Sequence, residues 1–259
     1  MPYIDVGESR LYYEAYGEGP PLVLAHGVGG NHASWFRQVP EFARNYRVVV
    51  FDHRAFGNST DIEQLGRARF IADLEALLDG LGIARAVLVG QSMGGGTVAA
   101  FTIAHPERVA GVVVASSLAG CVPPEPIASE LRAVEAATAD LSQVERVLGP
   151  VLREDDPALT LLYLQIASFN SVTIKTVRGA MPRWSPRELA AGGVPVLFLA
   201  GEHDVLFPPE LVCAVHGLVP GSRYHMIEGA GHSAYFERAT AFNTRLAAFL
   251  EELPGWQVR

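Results

Sequence analysis

Residues 87–96 run from an apolar, β-branched stretch directly into a turn of small residues with Ser92 at its centre. Helix-compatible residues follow at 97–101, so the segment predicts a strand, a tight turn and a helix in that order. Such a turn strains the backbone of its central residue, and the flanking Gly90 and Gly94 let the strand and the helix approach each other. The segment therefore predicts a serine hydroxyl at the end of a buried strand, although a plain glycine-rich turn is an alternative.

Further strand-like and helix-like segments alternate along the chain on both sides of this turn. The predicted strands are residues 3–6 and 10–16, which form a hairpin, and 22–25, 46–51, 87–89, 109–115, 194–200 and 223–227. Helical spacing of apolar residues lies between most of these strands. Regular alternation of this kind predicts an α/β fold with a mostly parallel sheet, helices on both faces and ligands at the carboxyl ends of the strands.

Residues 121–193 interrupt the alternation, because no strand-like run appears there and the apolar spacing is helical. The pairs at 156–157 and 185–186 each read as an N-cap followed by proline at the first helical position. Residues 159–169 are apolar nearly all round, which predicts burial on two sides. A lid over an apolar pocket and a helix packed between its neighbours both fit that pattern. We expect a core domain of residues 1–120 and 194–259 and a helical cap insertion of residues 121–193.

Three polar residues stand at predicted strand ends in the order Ser92, Asp204, His232. A serine hydroxyl is a weak nucleophile until a base takes its proton, and a carboxylate must hold that base in the right tautomer. Singly, Asp204 could cap a turn and His232 could make a structural hydrogen bond in its glycine loop. Together they predict a catalytic triad in which Ser92 is the nucleophile, His232 the base and Asp204 the group that orients the base.

An acyl-transfer site also needs donors for the developing oxyanion. The backbone N–H groups of Val28 and Met93 are the candidates, because one lies in the glycine-rich loop after a strand and the other directly follows Ser92. His26, at the start of that loop, is interpreted as structural. An apolar pocket is expected beside these motifs, although aromatic residues near strand ends often belong to the core. Its predicted lining residues are Trp35, Phe56, Tyr163, Leu206 and Phe207.

Charge and composition exclude several other classes of function. The 259-residue chain has a net charge of −8 and a single lysine, Lys175, which argues against a nucleic-acid partner, a P-loop and lysine-linked cofactor chemistry. Cys121 and Cys213 lie far apart and predict no metal site or disulfide, so we interpret them as small buried hydrophobes. No apolar run approaches the roughly 20 residues of a membrane span, and no secretory signal pattern is present. We expect a cytoplasmic protein without a membrane partner, as a monomer or homodimer.

The motifs at residues 26–30, 52–59, 90–95, 201–204 and 229–233 together resemble those of the α/β-hydrolase superfamily, in its serine-nucleophile branch with a helical cap. The resemblance implies an eight-stranded, mostly parallel sheet with the cap inserted after the sixth strand. It also implies that no metal and no organic cofactor is needed. Ser92 stands where haloalkane dehalogenases and epoxide hydrolases have aspartate, which disfavours those chemistries. Ala55 stands where most relatives have glycine, which puts the conformation of that loop in question.

The function expected from these features is hydrolysis of a small, largely apolar ester or lactone through an acyl-enzyme on Ser92. The alternative is a C–C bond hydrolase of the meta-cleavage product type, whose pocket usually offers a cation to a substrate carboxylate. Candidate cations in the insertion are Lys175, Arg178, Arg183 and Arg187, although solvated surface is the more usual place for each. A ligand sensor that keeps the triad is a less favoured third possibility.

Overall fold

Runs of β-branched and apolar residues form the eight strands of one sheet in the computed structural model, which describes residues 2–257. The strands are β1 (Tyr3–Val6), β2 (Ser9–Tyr16), β3 (Pro21–Ala25), β4 (Arg47–Phe51), β5 (Ala86–Gln91), β6 (Val109–Ala115), β7 (Val196–Gly201) and β8 (Arg223–Ile227). Their order is β1-β2-β4-β3-β5-β6-β7-β8. The first two strands pair antiparallel with each other, β2 pairs antiparallel with β4, and all other pairs are parallel. The predicted mostly parallel sheet is confirmed.

Helices cover both faces of this sheet. They are α1 (Val39–Phe42), α2 (Phe70–Gly80), α3 (Met93–Ala104), α4 (Ile127–Ala137), α5 (Gln143–Val147), α6 (Pro150–Asp155), α7 (Pro157–Ser168), α8 (Pro186–Ala191), α9 (Pro209–His216), α10 (Ala234–Glu237) and α11 (Ala239–Glu251). Successive strand residues point to opposite faces, so in β3 Leu22 and Leu24 belong to the buried cluster that includes residues of α1 and α11, whereas Val23 belongs to the cluster that includes residues of α2, α3 and α9. Both faces of the sheet are therefore buried, as the uninterrupted apolar runs predict.

Five helices, α4 to α8, occupy the chain between β6 and β7. Asp156 accepts a hydrogen bond from the N–H of Leu159 at 2.8 Å and Ser185 accepts one from Glu188 at 3.2 Å, so both predicted N-caps are confirmed. The division of the chain into a core domain and a cap domain stays a prediction.

The prediction that α7 is buried on two sides is wrong. Leu159, Tyr163 and Ile166 face the core, but Leu161 is 55% exposed, and Phe169, just after the helix, is 75% exposed. The helix packs on the 3₁₀ turn His32–Trp35 and on α6, and Leu161 and Leu164 on its outer side are exposed. An apolar composition therefore did not imply burial on two sides.

Polar contacts attach the segment that follows α7 to two loops of the core. The Asn170 side chain accepts a hydrogen bond from the N–H of Gly57 at 3.0 Å and donates one to the carbonyl of Gly30 at 3.1 Å. The Ser171 hydroxyl donates to the carbonyl of Ala55 at 2.8 Å. These bonds fix the insertion at the carboxyl ends of β3 and β4.

A buried arginine within the loop after β4 anchors this loop to neighbouring segments. The Arg54 guanidinium, 1% exposed, donates two hydrogen bonds to Asp73 at 2.7 and 2.9 Å and one to Glu63 at 2.8 Å. Ala55 beside it has φ of 72°, in the left-handed region that glycine tolerates more readily. The loop therefore keeps a glycine-like conformation although its residue is alanine.

Two further expectations concern the cysteines and the membrane. Both cysteines are unpaired. Cys121 is partly buried, but Cys213 is exposed on α9, so its assignment as a buried hydrophobe is wrong. Among residues 2–257, no helix has both the length and the apolar character needed to cross a bilayer.

Candidate active site

Ser92 occupies the turn between β5 and α3, with φ of 52° in the left-handed region. This conformation is strained for a residue with a side chain, and the neighbouring contacts maintain it. The N–H of Ser92 donates to the carbonyl of Ala115 at 3.0 Å, and its own carbonyl accepts from the Ser117 hydroxyl at 2.5 Å. A Cβ on Gly90 would collide with the carbonyl of Gly94, so the glycine of the motif is required by a close backbone approach.

Asp204 and His232 are brought together although they lie in separate loops after β7 and β8. Each carboxylate oxygen of Asp204 lies 3.0 Å from Nδ1 of His232, and both residues are 3% exposed. Oδ1 of Asp204 also accepts hydrogen bonds from the N–H groups of Leu206 and Phe207, at 2.9 and 3.0 Å. An ionised carboxylate only accepts, so Nδ1 of the neutral imidazole must carry the proton and Nε2 keeps its lone pair.

The loops that carry Ser92 and His232 meet at the same edge of the sheet. The amide of Gln91, next to Ser92, donates to the backbone carbonyl of His232 at 3.0 Å. Across residues 2–257, no hydrogen bond joins the Ser92 hydroxyl to the His232 ring. In unliganded sites this contact is commonly long and tightens when substrate binds.

The loop that follows β3 lies against this turn. A Cβ at Gly27 would be 2.9 Å from Cβ of Ser92, so glycine is needed for the approach. The His26 ring sits 2.7 Å from the carbonyl of Gly27 through Nδ1, and its Nε2 accepts from the N–H of His53 at 2.9 Å. Burial lowers the pKa of His26, which keeps the ring neutral while it holds the loop. The structural interpretation of His26 fits both contacts.

The residues that carry the two predicted oxyanion donors line the same cavity as Ser92. Val28 and Met93 line it, and the N–H of Met93 is the first of the unpaired donors at the start of α3. In the described part of the chain neither N–H is bonded to a protein acceptor. Both groups are thus available to a ligand atom.

The cavity has a volume of about 510 Å³ and combines an apolar part with a charged one. Its apolar lining includes Val28, Met93, Leu118, Leu131, Leu206 and Phe207. Its charged lining consists of Arg67, Arg132, Arg146, Arg183 and Glu135. Most of the exposed lining is apolar, and the arginines add a charged part to it. Of the four candidate cations only Arg183 lines the cavity, whereas Lys175, Arg178 and Arg187 do not.

Three of the aromatic residues predicted to line the pocket lie in the core instead. Trp35 is fully buried 4.3 Å from the ring of Tyr235, Phe56 packs edge-on to His26, and Tyr163 packs edge-on to Phe236. Large aromatic side chains bury the most apolar area, and the space between the loops and the sheet is where that area is available. A second cavity of about 340 Å³ lies at the amino ends of β7 and β8, away from Ser92.

Glu237 in α10 is a residue that the sequence interpretation missed. It is 4% exposed, and its carboxylate accepts hydrogen bonds from three backbone N–H groups: Gly149 at 2.9 Å, Gly231 at 2.9 Å and Ser233 at 3.1 Å. Burial raises the pKa of this carboxyl. The residue joins the histidine loop to the start of α6. A lone acid after the apolar run at 234–236 was the signal available for it.

No group of three or more His, Cys, Asp or Glu side chains between residues 2 and 257 could hold a metal ion. Cys121 lines the cavity, but burial raises the pKa of its thiol to about 12, so it is protonated at neutral pH.

Comparison with known proteins gives a consistent set of relatives. Residues 20–239 match the family model of the alpha/beta hydrolase fold. A putative non-heme bromoperoxidase, BpoC, of Mycobacterium tuberculosis is 30% identical over 93% of this chain and 97% of its own length. A 2-hydroxy-6-oxononadienedioate/2-hydroxy-6-oxononatrienedioate hydrolase of Paraburkholderia phymatum is 31% identical over 94% and 91%. The enol-lactonase of Burkholderia xenovorans LB400 superposes with a TM-score of 0.79 at 27% identity, over 97% of this chain and 100% of that one.

Proposed function

Because the chain belongs to the α/β-hydrolase family, we propose that it is a serine hydrolase that cleaves a small, largely apolar carboxylic ester or lactone. The observation that carries this proposal is the buried Asp204–His232 pair, which leaves Nε2 of His232 as a base at the sheet edge where Ser92 is held in a strained turn. The similarity to an enol-lactonase supports an ester bond as the target.

The proposed reaction has two half-reactions. The Ser92 oxygen attacks the ester carbonyl while its proton passes to Nε2 of His232. The imidazolium, stabilised by Asp204, then gives that proton to the leaving alkoxide, and the acyl group stays on Ser92. Water repeats the sequence: His232 takes its proton, the hydroxide attacks the acyl-enzyme, and the proton returns to Ser92 as the acid departs.

Charge on the tetrahedral oxygen is met by the N–H groups of Val28 and Met93. A single donor of this kind is typically worth about 3–4 kcal/mol of transition-state stabilisation. Both are backbone groups, so side-chain substitutions at these positions test them only indirectly. The position of Met93 at the start of α3 adds the positive end of the helix dipole.

A C–C bond hydrolase of the meta-cleavage type is the second candidate. The relative from Paraburkholderia phymatum, named for a dioate substrate, and the arginines of the cavity favour it. The same serine, histidine and aspartate would serve both reactions, so the bond that is cleaved distinguishes them.

Labelling of the nucleophile tests the proposal most directly. A fluorophosphonate probe should modify the protein once per chain at Ser92, and p-nitrophenyl esters of increasing acyl length should be turned over. Ser92→Ala should abolish labelling and lower kcat at least about 10³-fold. Ser168→Ala, an exposed serine on α7, is the matched control and should behave as wild type.

Near-wild-type turnover by Ser92→Ala would rule out the acyl-enzyme route. Labelling at Ser92 without turnover of any ester would transfer the proposal to the C–C substrate class, which is then tested by following the loss of dienoate absorbance.

A further inference from the structure

The cavity beside Ser92 carries more positive charge than the chain as a whole predicts. The protein has a net charge of −8, yet four of its arginines line this one cavity together with a single acid, Glu135. Since like charges repel, such a cluster costs free energy unless something anionic faces it. The arginines are thus an unexplained feature of the site.

Two backbone carbonyls hold the guanidinium of Arg67. Its guanidinium donates to the carbonyl of Gly179 at 2.7 Å and to that of Val177 at 3.4 Å. Burial lowers the pKa of Arg67, but an arginine stays protonated at neutral pH. Its partners are neutral carbonyls, and within residues 2–257 it forms no ion pair. Arg67 is therefore a preorganised cation whose charge is not neutralised.

The other three arginines differ in their partners. Arg132 on α4 pairs with Glu125 at 2.7 Å, so its charge is already met. Arg146 on α5 and Arg183, just before α8, make no ion pair and no side-chain hydrogen bond with any described residue. Arg146 is half-buried and Arg183 is exposed. Three uncompensated guanidinium groups consequently line the cavity that contains the nucleophile.

From this arrangement we infer that the substrate bears a free carboxylate on the part away from the scissile bond, and that Arg67, Arg146 and Arg183 bind it. A guanidinium matches a carboxylate through two parallel hydrogen bonds, and charge-assisted bonds of this type are about twice as strong as neutral ones. The apolar part of the cavity then takes the carbon chain. The inference rests on the proposed function and narrows its substrate class to ester or lactone monoanions.

Matched ester pairs test the inference. Mono-p-nitrophenyl glutarate is compared with p-nitrophenyl hexanoate, which places the carboxylate on the acyl side, and 4-acetoxybenzoate with 4-methylphenyl acetate, which places it on the alcohol side. We expect one anionic ester to exceed its neutral partner at least about 10-fold in kcat/KM, corrected for uncatalysed hydrolysis. Raising NaCl from about 0.02 M to about 0.5 M should reduce that preference.

Arginine variants locate the charge that is responsible. Arg67→Ala, Arg146→Ala and Arg183→Ala should each lower the ratio of anionic to neutral kcat/KM by about 3-fold or more, mainly through KM for the anion. Arg44→Ala is the matched control, because Arg44 is an exposed arginine of the core surface that pairs with Glu41, and its ratio should equal that of wild type. A preference below 2-fold in both pairs, or ratios that no cavity variant lowers, would overturn the inference.

A binding measurement separates this inference from the proposed function. Glutarate dianion is titrated by calorimetry into two proteins: the single variant Ser92→Ala, which keeps all cavity arginines, and the double variant Ser92→Ala with Arg146→Ala. Binding that weakens at least about 3-fold in the double variant supports the carboxylate site even if no ester is turned over. Full ester turnover without glutarate binding, and without anionic preference, would leave the serine hydrolase standing and overturn the carboxylate site alone.

Discussion

On its sheet side the cavity is bounded by the strained turn that carries Ser92, with Asp204 and His232 buried at the same sheet edge outside the lining, whereas on its helical side it is bounded by α4 and by loops with few buried anchors. Asp204 and His232 are almost fully buried and each is fixed by several hydrogen bonds. In contrast, α4 has no fully buried residue, and its Arg132 is exposed. We therefore expect changes on the sheet side to alter kcat and changes on the helical side to alter KM.

The helical side is itself divided. Helix α7 packs three residues on the core, and the segment after it is tied to the β3 and β4 loops, yet α7 does not line the cavity. Helix α4 lines the cavity through Leu131 and Arg132 but is held weakly. If the insertion moves during turnover, the physical expectation is that α4 moves while α7 stays, because local opening occurs where few apolar contacts are buried.

The largest expected effect is on the sheet side. Asp204→Asn keeps the size of the side chain but offers an amide where His232 needs an acceptor, so the imidazole can adopt the wrong tautomer. We expect kcat to fall by about 10³–10⁴-fold with little change in KM, measured on the ester that wild type hydrolyses best.

Asp140→Asn, an exposed change between α4 and α5, serves as the control for Asp204→Asn. A loss of activity through KM instead of kcat would contradict the assignment of Asp204 to the sheet-side machinery. Circular dichroism of both variants establishes that the fold is intact.

The second effect concerns Glu237, whose carboxylate bonds both to Gly149 in the helical insertion and to the loop that carries His232. Glu237→Gln puts an NH₂ group where a carboxylate oxygen accepts, so at least one buried backbone donor loses its partner. We expect the free energy of unfolding to fall by about 2 kcal/mol near neutral pH, measured by urea denaturation. Glu130→Gln, at an exposed acid on α4, should leave it unchanged.

The pH dependence of that difference has a definite sign. Burial raises the pKa of Glu237 above its ordinary value of 4.5, so the folded chain binds this proton more tightly than the unfolded chain does. The stabilising contribution of Glu237 is therefore largest below pH 4.5 and declines as pH rises through the folded pKa. The difference in free energy of unfolding between wild type and Glu237→Gln should therefore shrink between pH 4 and pH 7, by an amount set by the shift in the pKa of Glu237. An advantage that grows with pH would contradict the raised pKa.

Sequence patterns predicted the sheet side better than the helical side for a physical reason. A strand that ends in a glycine-bearing loop constrains where Ser92, Asp204 and His232 can lie, because parallel strands present their carboxyl ends at one edge. The arginines of the cavity have no such constraint. Arg146 lies in α5 and Arg183 in the segment before α8, and the placement of these two parts relative to each other depends on tertiary packing.

The core aromatics illustrate the same limit. Trp35 and Phe56 stand beside catalytic motifs in the sequence, but the pattern cannot say on which side of the loop each ring packs. For α7, apolar composition predicted burial on two sides, whereas Leu161 on its outer side is exposed. Periodicity identifies elements, and packing alone identifies which of their faces meet.

The third prediction concerns the hydrogen bonds that attach the segment after α7 to the core. Asn170→Ala removes three hydrogen bonds, with Gly57, Gly30 and the Asn31 side chain, and the bond to Gly30 holds the loop that carries Val28. We expect the free energy of unfolding to fall by about 1–2 kcal/mol, with a modest fall in kcat because the Val28 donor is less well fixed. Asn58→Ala removes an exposed amide in the same core loop and is the control. Unchanged stability in Asn170→Ala would mean that the hydrogen bonds of the Asn170 side chain contribute nothing to holding this segment.

The smallest effect, on the loop after β4, has the opposite sign. Ala55 adopts φ of 72°, a conformation in which a Cβ costs about 1–2 kcal/mol, while glycine gives back part of that gain through the entropy of the unfolded chain. Ala55→Gly should therefore raise the free energy of unfolding by about 0.5–1 kcal/mol. The matched control is Ala133→Gly on the exposed face of α4, where the helical backbone makes glycine destabilising by about 1 kcal/mol. Urea denaturation of the two variants measures both signs, and destabilisation by Ala55→Gly would mean that the alanine methyl group makes packing contacts that outweigh its backbone strain.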